Sequence, residues 1–378
     1  MPTYTNTHIF SADNQESQII VGNDIFESFF SNVDLSVYSS FFIITDSNVG
    51  AIYLNKLMEI MKKIYINKKV YSVVLPAGEE HKNLDSLNTI WTSMLSSGID
   101  RKSLVINLGG GVITDMGAFA ASTYMRGVDF INIPTTLLSQ VDASVGGKTG
   151  VDFHEVKNII GCFSLAKYVL VDTETLSTLP KREVLSGLAE IIKHGLLAEN
   201  ISFGSNYLSQ INQYIEDPNQ ELLETLINES IKLKIAVCKL DPQEKLGIRK
   251  ILNLGHTIGH AIESFSLKHD ESDYLRHGEC VAIGIITESK ISKEKGLLTQ
   301  NDVDNIHTII KRSGLPTTYH IQSEENLDEI LGLLKNDKKN TADIIQFVLL
   351  KTNDRQQIVA EWGVEVDENI IRNILFTD

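Results

Sequence analysis

Two histidines four residues apart, in Asn253-Leu254-Gly255-His256-Thr257-Ile258-Gly259-His260, have a spacing that suggests chemistry. On a helix they share one face and can meet one ion, and the two glycines permit close approach of another element. A satisfied core histidine would account for either residue taken singly. Other residues point to a metal. Glu190 stands in Leu188-Ala189-Glu190-Ile191-Ile192-Lys193-His194, an otherwise apolar face where a carboxylate is costly to bury without a cation or hydrogen-bond partners. His277 opens a further helical pattern at Arg276-His277-Gly278-Glu279. One carboxylate with two imidazoles leaves positions on zinc open to substrate oxygens, the pattern of a catalytic rather than a structural site. A zinc protease is excluded, because Thr257 occupies the place of the glutamate in HExxH. Six basic residues, Arg126, Lys148, Lys157, Lys193, Lys234 and Arg249, accompany this set in a chain of formal net charge -15. They imply a small, multiply anionic substrate.

A second feature is Leu104-Val105-Ile106-Asn107-Leu108 running into Gly109-Gly110-Gly111, then a helical pattern with Asp115 in its first turn. Strand, glycine turn and helix together form a phosphate cradle: glycine lets the backbone approach a pyrophosphate, and the amides and dipole of the helix start favour negative charge. A tight turn needing positive φ would explain the glycines equally well, and Thr114 replaces the last glycine of GxGxxG. Asp46-Ser47-Asn48 and Gly78-Glu79-Glu80-His81-Lys82 follow the second and third strands, where parallel sheets place ligand loops. Gly146-Gly147-Lys148-Thr149 resembles the end of a nucleotide-triphosphate loop, but Asp142 stands where that motif requires glycine. Lys148 is therefore read as a point charge for a substrate phosphate or carboxylate, with Asp142 as its neighbour; a solvated loop lysine is the plainer alternative.

The elements that must position these residues fall into two regions. With 378 residues, 42% hydrophobic and 22% charged, the chain has the size of two domains. Apolar runs at 18–21, 41–45, 71–75, 104–108, 130–133 and 168–171 read as buried strands separated by helical patterns, the rhythm of a mostly parallel sheet. After Leu179-Pro180, helical periodicity takes over at 182–199, 222–239, 250–266, 278–294 and 301–313. The expectation is a Rossmann-like α/β domain over 1–180 and an all-α domain over 181–378, to which 345–350 and 357–360 could add short strands. A pI near 5.1 argues against nonspecific nucleic-acid binding. The start has no basic region followed by an apolar run, and no segment has the apolar length of a membrane span, so a cytoplasmic protein is expected. Cys162, Cys238 and Cys280 lack paired spacing and are assigned no chemistry.

These motifs resemble the dehydroquinate synthase family from about Asp46 to Asn340. The matching stretches are 109–115, Tyr124-Met125-Arg126-Gly127, Pro134-Thr135-Thr136, 141–150, Gly187-Leu188-Ala189-Glu190, 253–260 and His277-Gly278-Glu279. The resemblance implies zinc or cobalt held by Glu190, His256 and His277, with His260 unligated near a substrate phosphate. It implies NAD beside Asp46, Asn48, Glu79, Lys82, Gly110, Gly111, Asp115, Thr135, Thr136, Thr178 and Glu183. Lys148, Lys157, Asn158, Lys193, Lys234, Arg249, Asn253 and Lys338 would hold the substrate's carboxylate, hydroxyls and phosphate. Arg126 reaches across a dimer interface in such enzymes, which predicts a homodimer. Two segments, 244–247 and 265–276, look longer than in the family and are expected to form surface loops.

The family substrate is 3-deoxy-D-arabino-heptulosonate 7-phosphate and its product 3-dehydroquinate, in the shikimate route to aromatic compounds. Transient oxidation by NAD, elimination of phosphate, re-reduction and intramolecular aldol closure would leave NAD unchanged. Other sugar phosphate cyclases, including one for an amino analogue, share the metal and NAD sites. A polyol dehydrogenase would not require the cage of Lys148, Lys157, Lys193 and Arg249. A noncatalytic NAD- or metabolite-binding module would be expected to have lost a metal ligand or lysine, and none is lost.

Overall fold

A computed structural model describes residues 4–154, 156–203, 206–270, 273–335 and 345–376. The chain divides into two compact units, 1–180 and 181–378. The strands of the first unit are β1 (Tyr4–Ala12), β2 (Gln15–Gly22), β3 (Ser40–Asp46), β4 (Lys69–Leu75), β5 (Leu104–Gly109), β6 (Phe130–Pro134), β7 (Lys148–Phe153), β8 (Val156–Phe163) and β9 (Tyr168–Asp172). Its helices are α1 (Phe26–Asn32), α2 (Ser47–Val49), α3 (Asn55–Ile64), α4 (Leu84–Ser96) and α5 (Gly111–Thr123).

Seven strands form one sheet in the order β1-β2-β9-β6-β5-β3-β4. All neighbours are parallel except the β1–β2 pair at one edge. The six strands expected from the apolar runs are β2, β3, β4, β5, β6 and β9. Phe41, Ile43, Leu104, Ile106, Ile131 and Leu170 pack from the sheet onto Phe26, Phe29 and Phe30 of α1 and Leu57 and Met61 of α3. The antiparallel hairpin β7–β8 forms a separate sheet. Close pairing at its centre needs glycine: a Cβ on Gly161 would lie 2.0 Å from the carbonyl oxygen of Thr149.

The second unit contains α6 (Lys181–Leu197), α7 (Tyr207–Glu216), α8 (Gln220–Leu240), α9 (His256–His269), α10 (His277–Glu294), α11 (Gln300–Ser313), α12 (Glu324–Lys335) and α13 (Glu368–Phe376). It is helical but not purely so. β10 (Ile345–Thr352) and β11 (Ile358–Val366) pair antiparallel, and Phe347 and Leu349 point from β10 into a core with Ile258, Ile262, Phe265 and Ile283.

Two expectations are corrected here. The helix expected over 250–266 is split, because Gly255 takes the left-handed conformation (φ 78°) between a 3₁₀ turn at Arg249–Asn253 and α9. The segment 265–276 is not simply a surface loop: α9 continues to His269, with Phe265 and Ser266 buried. Among the described residues no helix is long and apolar enough to cross a membrane.

Candidate functional site

In the first unit the loops that follow the parallel strands carry most of the expected cofactor residues. β5 ends at Gly109, and Gly110 is the extended N-cap of α5. None of Gly109, Gly110 and Gly111 has positive φ, so turn handedness does not select glycine here. Close packing does: a Cβ on Gly109 would lie 2.6 Å from Ile113 Cβ, and one on Gly110 would lie 2.9 Å from Thr136 Cγ2. The start of α5 has no side-chain cap and no acidic residue in its first turn, leaving its amides suited to an anion. Asp115 lies just beyond that turn rather than within it.

Asp46 closes β3, and its Oδ1 accepts from the amides of Asn48 (2.9 Å) and Val49 (3.0 Å), shaping the turn that exposes Asn48. Thr135 is buried after β6, and its amide donates to the Gly109 carbonyl at 3.0 Å. Thr136 Oγ1 accepts from the Ser139 amide at 3.2 Å. Thr178, beyond β9, meets the hydroxyl of Tyr53 at 2.7 Å.

A partly buried ionic cluster, centred on the buried Lys82, stands beside these loops. Lys82 Nζ donates to Asp115 Oδ2 and Asn158 Oδ1, each at 2.7 Å, and Lys157 Nζ lies 2.9 Å from Glu79 Oε1. Burial opposes the charge of Lys82, but Asp115, Glu79 and Asp152 outweigh it and raise its pKa. Asp152, which no sequence motif marks, accepts from the Asn158 amide at 2.6 Å, and burial together with Glu79 raises its carboxyl. Asp142 lies in the turn Ser139–Ala143, and Lys148 is the exposed first residue of β7, a strand where a loop was expected. Arg126 is exposed in a turn whose Met125, Arg126 and Gly127 all have positive φ (50°, 70° and 117°).

In the second unit α6 packs against α8, α10 and the Arg249–Asn253 turn, and α9 packs against α10. Glu190 is fully buried on α6. His256 Nε2 lies 3.5 Å and His277 Nε2 3.4 Å from its Oε1, and ligand atoms of all three residues lie within 4.8 Å of one another. His256 Nδ1 is 3.0 Å from the Leu254 carbonyl, which can only accept, so that nitrogen carries the hydrogen. Burial, with the charge of Lys193 next, pushes His256 down to about 3, so the ring is neutral and presents a lone pair to Glu190.

His277 Nδ1 lies 3.0 Å from Glu263 Oε2. Burial opposes a charge on His277, yet Glu263 and Glu190 outweigh it and raise its pKa to about 10. A lone pair facing a carboxylate oxygen is repulsive unless a cation lies between them. The donor set, two imidazole nitrogens and a carboxylate with the imidazoles fixed from behind, therefore fits a divalent ion such as zinc or cobalt.

The expected anion-binding residues of this unit lie on the same elements. Lys193 pairs with Glu190 one turn away on α6, Lys234 is buried on α8, and Arg249 is buried in the 3₁₀ turn. Arg249 Nη1 donates to the Pro242 carbonyl at 2.7 Å. Asn253 Nδ2 is buried without a hydrogen-bond partner among the described residues, a donor suited to a ligand oxygen. His260 follows His256 on α9, their ring centroids 5.1 Å apart. Glu183 pairs with Arg276 at 2.9 Å, directly before His277. Arg182 binds both oxygens of Glu279 (2.8 and 2.9 Å) and Asp273 (2.7 Å), which fixes the entry to α10. Lys338 lies outside the described residues.

Residues 72–186 match the family model for the 3-dehydroquinate synthase N-terminal region, and 187–340 match that for the C-terminal region. The 3-dehydroquinate synthase of Thermoanaerobacter sp. (strain X514) is 42% identical over 311 residues, 82% of this chain and 84% of that protein. A crystal structure of 2-deoxy-scyllo-inosose synthase with carbaglucose-6-phosphate, NAD+ and Co2+ superposes with a TM-score of 0.82 at 25% identity, covering 98% of this chain and all of that one (100%). The 2-epi-5-epi-valiolone synthase of Streptomyces hygroscopicus subsp. jinggangensis 5008, with NAD+ and Zn2+ bound, shares the fold at a TM-score of 0.81 and 23% identity, with 98% of each chain covered. Matches that continue from residue 72 to 340, with 42% identity to a relative over most of both chains, place this chain in the 3-dehydroquinate synthase family.

Proposed function

We propose that the chain converts 3-deoxy-D-arabino-heptulosonate 7-phosphate into 3-dehydroquinate and inorganic phosphate, using NAD and a divalent metal. The observation that carries this reading is the convergence of Glu190, His256 and His277, two imidazole nitrogens facing one buried carboxylate, in a chain of this family. When bound, NAD supplies reversible oxidation of the substrate and the metal supplies Lewis acidity.

The chain's own residues hold and balance charge. Glu190, His256 and His277 hold the ion, and the amides at the start of α5, with Asp46, Asn48, Glu79, Lys82, Asp115, Thr135, Thr136, Thr178 and Glu183, serve the dinucleotide. Lys148, Lys157, Asn158, Lys193, Lys234, Arg249, Asn253 and Lys338 hold the carboxylate, hydroxyls and phosphate, and Asp142 sets the charge near Lys148. Lys193, Lys234 and Arg249 are buried, where a charge-assisted contact is stronger than at a surface. His260, beside two metal ligands, balances charge as phosphate leaves. Residues 1–180 form the NAD unit and 181–378 the metal and substrate unit of a cytoplasmic homodimer, in which Arg126 serves the neighbouring subunit.

The test is phosphate release from that substrate by metal-loaded protein with substoichiometric NAD, with 3-dehydroquinate and NADH followed in parallel. Many turnovers per NAD, both products and no accumulation of NADH are expected. Protein that holds metal and NAD but releases no phosphate would exclude this substrate.

A further inference from the structure

Glu288 is fully buried in the middle of α10, in the buried run Ile285-Ile286-Thr287-Glu288-Ser289. Its Oε2 accepts from the Gly255 amide at 2.6 Å, and its Oε1 lies 3.5 Å from the Ile258 amide. Both amides belong to the start of α9, whose first residue is His256. Gly255, the N-cap of α9, has no side chain to accept them. A carboxylate on the neighbouring helix therefore does the work of an N-cap, at the helix end where the dipole favours negative charge.

The two helices are pressed together at this point. A Cβ on Gly284 would lie 1.9 Å from the Gly255 carbonyl oxygen, and one on Gly255 would lie 2.7 Å from the carbonyl oxygen of Val281. Gly259, one turn on, faces the Cys280 carbonyl at 3.0 Å in the same sense. Residues 281, 284, 285 and 288 form a stripe of i, i+3 and i+4 steps along α10, and Glu288 closes that stripe with hydrogen bonds. The peptide it grips carries His256 next in sequence, and the His256 ring is fixed in turn by the Leu254 carbonyl at 3.0 Å.

We infer that Glu288 is a positioning residue for the metal: by holding the Gly255 and Ile258 amides it sets where His256 presents Nε2 to Glu190. This rests on the assignment of Glu190, His256 and His277 as ligands. Loss of the carboxylate would leave two amides short of an acceptor and let the first turn of α9 shift. The metal affinity would then fall, because a buried group that orients a ligand commonly accounts for about 10–100-fold in affinity.

The experiment compares wild type with Glu288→Gln, which keeps shape and one acceptor, and Glu288→Asp, which keeps the charge but retracts it. Zinc affinity is read by competition with a chromophoric chelator, and the visible spectrum of the cobalt-loaded protein reads ligand geometry. Thr299→Ala, which removes the cap of α11 far along the chain, controls for general loss of stability. The expected result is zinc affinity at least about tenfold weaker in both Glu288 variants, a changed cobalt spectrum, and wild-type affinity in Thr299→Ala. Glu288 variants that are less stable yet bind zinc as wild type does, with an unchanged cobalt spectrum, would overturn the inference while leaving the ligand assignment intact. Wild-type protein that takes up no divalent ion would overturn both. Should neither Glu288 variant fold, hydrogen exchange in the wild type decides: zinc must slow the Gly255 and Ile258 amides, and unchanged exchange overturns the inference.

Discussion

Glu263 Oε2 lies 3.0 Å from His277 Nδ1, so the ring that offers Nε2 to Glu190 is held from behind by a second buried carboxylate. Glu263 follows His256 by seven residues and His260 by three, which places it on the same face of α9 as both histidines. A carboxylate in that position fixes ring orientation and increases the basicity of the outward nitrogen. Glu263→Gln keeps the shape and removes the charge. Zinc affinity should fall by about 10–100-fold, read by chelator competition, while NAD affinity stays unchanged. Wild-type zinc affinity in this variant would mean that His277 needs no partner behind it.

Buried Lys82 and partly buried Asp115 form an ion pair that Asn158 shares. Removing one partner leaves the other charge at least partly buried, so Lys82→Met and Asp115→Asn should each weaken NAD binding and lower the unfolding temperature. The double variant should lose less than the sum of the two, with a coupling of about 0.5–3 kcal/mol as is usual for residues in contact. Isothermal titration with NAD on all four proteins gives that number; strict additivity would show that the pair does not act as a unit.

Gly284 has no room for a side chain, since its Cβ would fall 1.9 Å from the carbonyl oxygen of Gly255. Both partners in this clash are backbone, so relief requires α9 and α10 to separate. Gly284→Ala should cost about 1–3 kcal/mol, as overpacking does, and should also weaken zinc binding. Thermal unfolding and zinc titration of the same preparation test both, and a variant as stable as wild type would contradict the packing described.

The parallel strands were legible because each contains a short apolar run with a turn signal at its end, although the edge strand β4 is only partly buried. The cofactor loops could be placed because such strands carry ligands at their carboxyl ends. The hairpin β7–β8 was not legible: Lys148–Phe153 and Val156–Phe163 mix exposed and buried residues without the clean alternation of a half-buried strand. Glu190 stood out as a carboxylate on an apolar helix face, and the same argument applies with equal force to Glu288, which it could have found. Glu263, Asp152 and Asp241 carried weaker signals, because their partners are backbone amides or distant side chains that periodicity does not reveal. Gly255 allows the close approach its place in the motif suggests, but its positive φ also ends the preceding turn and makes His256 the first residue of a new helix.

Asp241 offers a test of how Arg249 is presented. Its Oδ1 accepts from the amides of Lys245 (2.8 Å) and Leu246 (3.1 Å), and its Oδ2 from that of Arg249 (3.3 Å), so one carboxylate organises the whole segment 241–249. Burial pushes its carboxyl up, but the amide bonds outweigh burial and hold it below the usual aspartate range. A depressed folded-state pKa means a contribution to stability that is fully present above the unfolded value of about 3.9 and is lost as pH falls through the folded value. Asp241→Asn retains a single acceptor oxygen and no charge. At pH 7 it should be less stable by about 1.5–3 kcal/mol, the range for hydrogen bonds to a charged group. The difference from wild type should hold constant down to about pH 4 and shrink below it. Trp362 reports on this segment directly: it lies beside Gly247 and stacks under Lys250 Nζ at 4.6 Å. Urea unfolding followed by Trp362 fluorescence, in a Trp91→Phe background, reads the segment at each pH. A difference that stays the same down to pH 3 would show that the charge of Asp241 does not hold the loop. At pH 7 the KM of Asp241→Asn for the sugar phosphate should rise more than kcat falls, because Arg249 would be present but no longer held in place.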